Sequence, residues 1–62
     1  MELHSFTLLL PSGTTRVQAY DAGLNYIQNT LRLSEYADYS WKGSKPYPTM
    51  PRMAVFSYSY KA

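Results

Sequence analysis

The chain has 62 residues, a formal charge of +2, 45% hydrophobic residues and no cysteine. A chain this short makes one small domain, residues 1–62, and buries only about 60% of its unfolded surface. Its apolar content excludes a disordered tail, the missing cysteines exclude disulfides and thiolate metal sites, and the weak positive excess argues against a nonspecific polyanion binder.

Met1-Glu2-Leu3-His4 offers no basic leader region, and the longest aliphatic run, Leu8-Leu9-Leu10, stops at Pro11. Neither a signal peptide nor a membrane span is expected, and the cysteine-free composition fits a cytoplasmic setting. Leu3 to Leu10 alternates as a strand, with Phe6, Leu8 and Leu10 on one face. Pro11-Ser12-Gly13 then reads as the turn of a β-hairpin, and the β-branched Thr14, Thr15 and Val17 suggest a returning strand from Thr14 to Tyr20. Asp21 is the expected N-cap of a helix over Ala22 to Leu33, whose stripe Leu24, Ile27 and Leu31 would lie on the sheet.

Ser40 to Arg52 carries three prolines and one glycine without periodicity, which suggests a long proline-rich loop at about 40–52. Met53 to Tyr60 alternates again, placing Ala54, Phe56, Tyr58 and Tyr60 on one face. The expected fold is α+β: a three-stranded antiparallel sheet built from a β-hairpin, helix, long loop and C-terminal strand, with one helix packed on one face. The first strand is expected at the centre, in order 2-1-3, leaving the last strand as a free edge with Phe56 in the core and Tyr58 and Tyr60 nearer solvent.

Catalysis is poorly provided for. One histidine, His4, and four carboxylates, Glu2, Asp21, Glu35 and Asp38, are too few to expect a converging acid, base, nucleophile or metal site. No phosphate-binding loop occurs, since Gly13, Gly23 and Gly43 are scattered, so no catalytic residue, cofactor or metal is expected.

The aromatic and basic residues suggest binding instead. Tyrosine, tryptophan and arginine are enriched at protein hot spots, which singles out Tyr39, Trp41, Lys42, Lys45, Tyr47 and Arg52 in the proline-rich segment, with Tyr58 and Tyr60 in the last strand. Aromatic anchors would bury in a partner protein while the basic residues steer from the rim. Three further readings compete with this one. The same residues can stack single-stranded nucleic acid, and the last strand can self-assemble by edge pairing. Lys45-Pro46-Tyr47-Pro48-Thr49-Met50-Pro51 also resembles basic-x-x-Pro-x-x-Pro ligands of SH3 domains. In size and element layout the chain resembles the small inhibitors that phages make against host polymerases, nucleases or CRISPR complexes, which implies steric blocking of a host protein or ribonucleoprotein surface.

Overall fold

A computed structural model describes residues 1–62. Strand β1 (Leu3–Pro11) leads into helix α1 (Arg16–Asn25), which widens into one π turn over Tyr26–Thr30, and strands β2 (Ala37–Tyr47) and β3 (Met50–Lys61) follow. The sheet is three-stranded and antiparallel in the order β1-β3-β2. One helix lies against it, an α+β fold. Because β1 and β2 both run antiparallel to β3, they run parallel to each other, and the helix carries the chain from one sheet edge to the other.

The path differs from the expected one at three places. Residues after Pro11 do not return as a strand, since Thr14 closes the turn instead. Its amide and its hydroxyl both donate to the Pro11 carbonyl, at 3.0 and 2.7 Å. Thr15 then caps the helix in a reciprocal box: the Gln18 amide donates to Thr15 Oγ1 and the Thr15 amide donates to Gln18 Oε1, each at 3.2 Å. Two free amides of the first turn are thereby satisfied. The helix starts at Arg16, and Asp21 is an exposed residue inside it, not its cap.

The second difference is the proline-rich stretch, which is not a loop. Residues 40–47 belong to β2, and Tyr47-Pro48-Thr49-Met50 is a tight reversal into β3. Proline sets its own φ for the second residue of such a turn. Pro48 thus stands inside a β-turn that Pro46 and Pro51 flank, and the three prolines do not lie along an SH3-type polyproline helix.

Third, β3 is the central strand and β1 an edge. Its alternating row explains the choice, because a strand flanked on both sides buries that row best. Ala54, Phe56, Tyr58 and Tyr60 are all buried beneath the helix, and Tyr58 is only 1% exposed. Burying side chains of this size stabilises by about 1.5–3 kcal/mol each.

The helix meets this row through small residues at i and i+4. Ala19 and Gly23 are buried while Val17 and Tyr20 face water. A β-carbon at Gly23 would meet the Tyr58 ring and the Tyr39 hydroxyl, so the missing side chain is the notch into which the two tyrosines fit. Tyr58 donates to the Ala19 carbonyl at 2.6 Å, and Tyr39 donates to the Tyr20 carbonyl. Rings then run across the whole sheet. Tyr39 stacks on Tyr58 with centroids 6.2 Å apart, Tyr58 on Phe6 at 5.0 Å, and Phe6 on Tyr26 at 4.6 Å. This aromatic layer supplies the contact area that a short chain otherwise lacks.

The helix ends through the π turn. The Leu31 amide donates to the Tyr26 carbonyl and the Leu33 amide to the Ile27 carbonyl, with Arg32 at φ 54° between them. A residue in the left-handed region closing a helix is the common αL stop, here made by arginine in place of glycine.

Candidate functional site

The β2–β3 hairpin extends beyond the helix, in a molecule of 36 × 17 × 17 Å. Ala54 is the last buried residue of β3 toward the turn, and from Ser44 to Arg52 every side chain is exposed except the half-buried Tyr47. The hairpin base is tied down. The Ser12 amide donates to the Arg52 carbonyl at 2.9 Å, and the Ser12 hydroxyl donates to the Pro51 carbonyl at 3.3 Å. These bonds hold the β1–α1 turn, and with it Arg16 at the helix start, on the same end of the molecule.

Local backbone chemistry shapes the ribbon. Register shifts fall between Ala37 and Ser40, between Trp41 and Gly43, and near the turn at Pro46–Tyr47. Asp38 at φ 53° and Gly43 at φ 112° accompany the first two. Glycine alone takes the second value without steric cost. The bulge leaves Lys42 without a register partner in β3, and its side chain is exposed. Lys45 pairs in register with Val55 on the sheet face away from the helix.

Charge is divided along the molecule. All four carboxylates lie outside residues 39–62, and the single ion pair, Lys61 to Asp38 at 3.4 Å, sits at the far end of the strands from the turn. Lys45 and Arg52 therefore present unpaired positive charge on either side of Tyr47 and the exposed Met50, and Lys42 adds an unpaired charge at the bulge. Cations left unneutralised by their own chain raise a local positive potential that attracts an acidic surface.

The expected partner-binding residues separate into two groups. Lys45, Tyr47 and Arg52 lie in the projecting end of the hairpin, and Lys42 lies at the bulge opposite the step from Ser57 to Tyr58. Tyr39, Tyr58 and Tyr60 belong to the core, which corrects the expectation that the two late tyrosines face solvent. The physical reason is the central place of β3, which puts its aromatic row under the helix instead of at an edge. Burial leaves a chemical trace: the Tyr39 hydroxyl is held well above the ordinary tyrosine range by desolvation first, then by repulsion from Tyr58, Tyr20 and Asp21. The Tyr58 hydroxyl is raised by desolvation alone.

Trp41 falls between the groups. It is half-buried, its ring lies 6.1 Å from Phe56, and its Nε1–H is buried without a partner. It packs against the core and is not a free anchor.

No known protein family, curated protein or solved structure matches the chain.

The sheet face away from the helix is built from different chemistry. Ser5, Thr7, Ser57, Ser59, Ser40 and Gly43 form its middle, with the Ser40 and Ser59 hydroxyls 3.3 Å apart, and Leu9, Val55 and Met53 lie toward the hairpin. This middle carries no aromatic ring. No helix is long and apolar enough to cross a membrane.

Residues 40–52 are not the expected loop: the reversal at Pro48-Thr49 organises the site. A signal for it was present in Tyr47-Pro48-Thr49-Met50, where proline stands at the second turn position between two segments able to pair. Helix capping had an equally local signal in Thr15-Arg16-Val17-Gln18.

Proposed function

We propose that this chain is a small, non-enzymatic protein-binding module that engages an acidic patch on a partner protein through the projecting end of the β2–β3 hairpin and acts by occupying that surface. One observation carries the reading: Lys45 and Arg52 flank Tyr47 and Met50 along the projecting end of the hairpin, residues 44–52, which carries no carboxylate, and Lys42 is exposed further along β2. Tyr47 and Met50 supply apolar contact, and the cations supply steering and rim pairing. Proline at 46, 48 and 51 stiffens the ribbon, so less conformational freedom is lost on binding. Stacking of single-stranded bases is less well supported, because the aromatic row that would hold the bases lies beneath the helix and the open face carries hydroxyls.

The test uses the full chain with a photo-crosslinking residue at Met50, compared with the same residue at the exposed helix position Val17, in extract of the native host. A protein adduct formed at Met50, absent at Val17 and lost in the Lys45→Glu/Arg52→Glu variant, is the expected result. An adduct destroyed by nuclease, or one that survives the charge reversal, would overturn the reading.

A further inference from the structure

The two edges of the sheet are built in opposite ways. Edge β2 carries Asp38, Lys42, Lys45 and Pro46 and is interrupted by bulges, which are the devices that block pairing with another strand. Edge β1 carries none of them between Leu3 and Leu10. It pairs with β3 in unbroken register, has no charged residue, and has proline only at its last position.

Its unpaired backbone groups can be assigned. Glu2 and Ala62 exchange both their hydrogen bonds, at 2.8 and 3.0 Å, and the Ser12 amide reaches Arg52 in β3's direction. Antiparallel ladders alternate, so the even-numbered residues of β1 bond β3, and Leu3, Ser5, Thr7 and Leu9 point N–H and C=O away from the sheet. No hydrogen bond within the chain reaches those groups.

We propose that β1 pairs with β1 of a second copy of this chain, antiparallel about a two-fold axis through Thr7, joining two sheets into one of six strands. Self-pairing is favoured over a foreign strand because the sequence complements itself about that axis. Thr7 faces Thr7 of the second copy, Ser5 faces Leu9, and these positions offer about six backbone hydrogen bonds across the axis. On the helix side Phe6 faces Leu8 and His4 faces Leu10. Phe6, Leu8 and Leu10 are only half-buried in the single chain, although they adjoin its core. Pairing sets the two half-covered rows side by side and extends one apolar layer through both copies, with no like charges opposed. The surface is separate from the hairpin, so neither reading depends on the other.

Sedimentation of the intact chain from micromolar to millimolar concentration, with residue-resolved amide exchange, tests this. A monomer–dimer equilibrium is expected, in which the Ser5, Thr7 and Leu9 amides become protected as concentration rises. Thr7→Pro deletes one outward N–H per copy without touching the β1–β3 ladder and should weaken the dimer about tenfold or more. Thr7→Lys opposes two like charges and should weaken it several-fold, more so at low salt, and it serves if the proline variant fails the near-ultraviolet dichroism check of folding. A chain that stays monomeric at millimolar concentration overturns the proposal. So does a dimer that forms while the Ser5, Thr7 and Leu9 amides exchange freely, or one that persists unweakened in the folded variants.

Discussion

Replacing Gly23 by alanine sets two physical effects against each other, and only the packing decides the sign. Glycine inside a helix costs about 1 kcal/mol relative to alanine, so helix propensity alone makes Gly23→Ala stabilising. The structure says otherwise. A β-carbon at this position comes within 3.0 Å of the Tyr39 hydroxyl and of two carbons of the Tyr58 ring. The Tyr39 hydroxyl is tied to the Tyr20 carbonyl, and the Tyr58 ring is held by its bond to Ala19 and by stacking on both faces. Forcing a methyl group into such a site costs roughly 1–3 kcal/mol, and an immobile ring puts the cost at the upper end. Subtracting the propensity gain leaves a loss of about 2 kcal/mol. For a chain of this size that is a fall in Tm of about 8–16 °C, read by thermal unfolding followed in the far-ultraviolet dichroism. Combining the change with Tyr39→Phe, which removes the hydroxyl but leaves the Tyr58 ring, should relieve part of the overlap, so the combined loss falls short of the sum of the separate losses. A Gly23→Ala chain as stable as the parent, or more so, would refute the packing of the helix on β3.

Helix capping is separable by two alanine substitutions: Thr15→Ala should lower stability by about 1 kcal/mol because it removes the reciprocal box with Gln18, whereas Asp21→Ala should change it by no more than about 0.5 kcal/mol. Denaturant midpoints measure both, and equal losses would contradict the helix start at Arg16. Stability should also fall in alkali. Tyr39 and Tyr58 keep their protons in the folded chain above the ordinary tyrosine value near 10, whereas the unfolded chain releases them there, so the unfolded state binds fewer protons and ΔG of unfolding declines as pH rises past about 10. Tyrosinate absorbance should show these two hydroxyls ionising together with unfolding, and Tyr39→Phe should make the decline shallower; an unchanged denaturant midpoint across that range would count against their burial.

Much of the layout was legible because it rests on short-range rules. The alternation in Leu3 to Leu10 and in Met53 to Tyr60 is visible in the chain, and both are strands. The expected helix begins about six residues after the observed start, because β-propensity alone makes Thr14 and Thr15 strand residues whereas their hydroxyls serve a turn and a cap. Competition between side-chain hydroxyls and backbone partners is what makes threonine ambiguous there. For β2, the obstacle was composition. Three prolines and a glycine obscure the period of two, and the strand tolerates them because prolines 46 and 51 sit near the turn and Gly43 lies in a bulge at an outer edge.

By itself the sequence determined the chemistry available: one small sheet with a helix, an aromatic-rich composition, few titratable groups, and cations on either side of Tyr47 in a stretch without carboxylates. It also marked the row from Ala54 to Tyr60 as one face. What that face meets was decided only by tertiary structure. Strand order is a long-range choice, made when β3 inserts between β1 and β2 and places its tyrosines against Ala19 and Gly23. A period of two says which residues share a side and is silent on which side is covered. Core or contact surface is settled by the neighbour that arrives, and here the helix arrives on the tyrosines and leaves the hairpin tip and the β1 edge open.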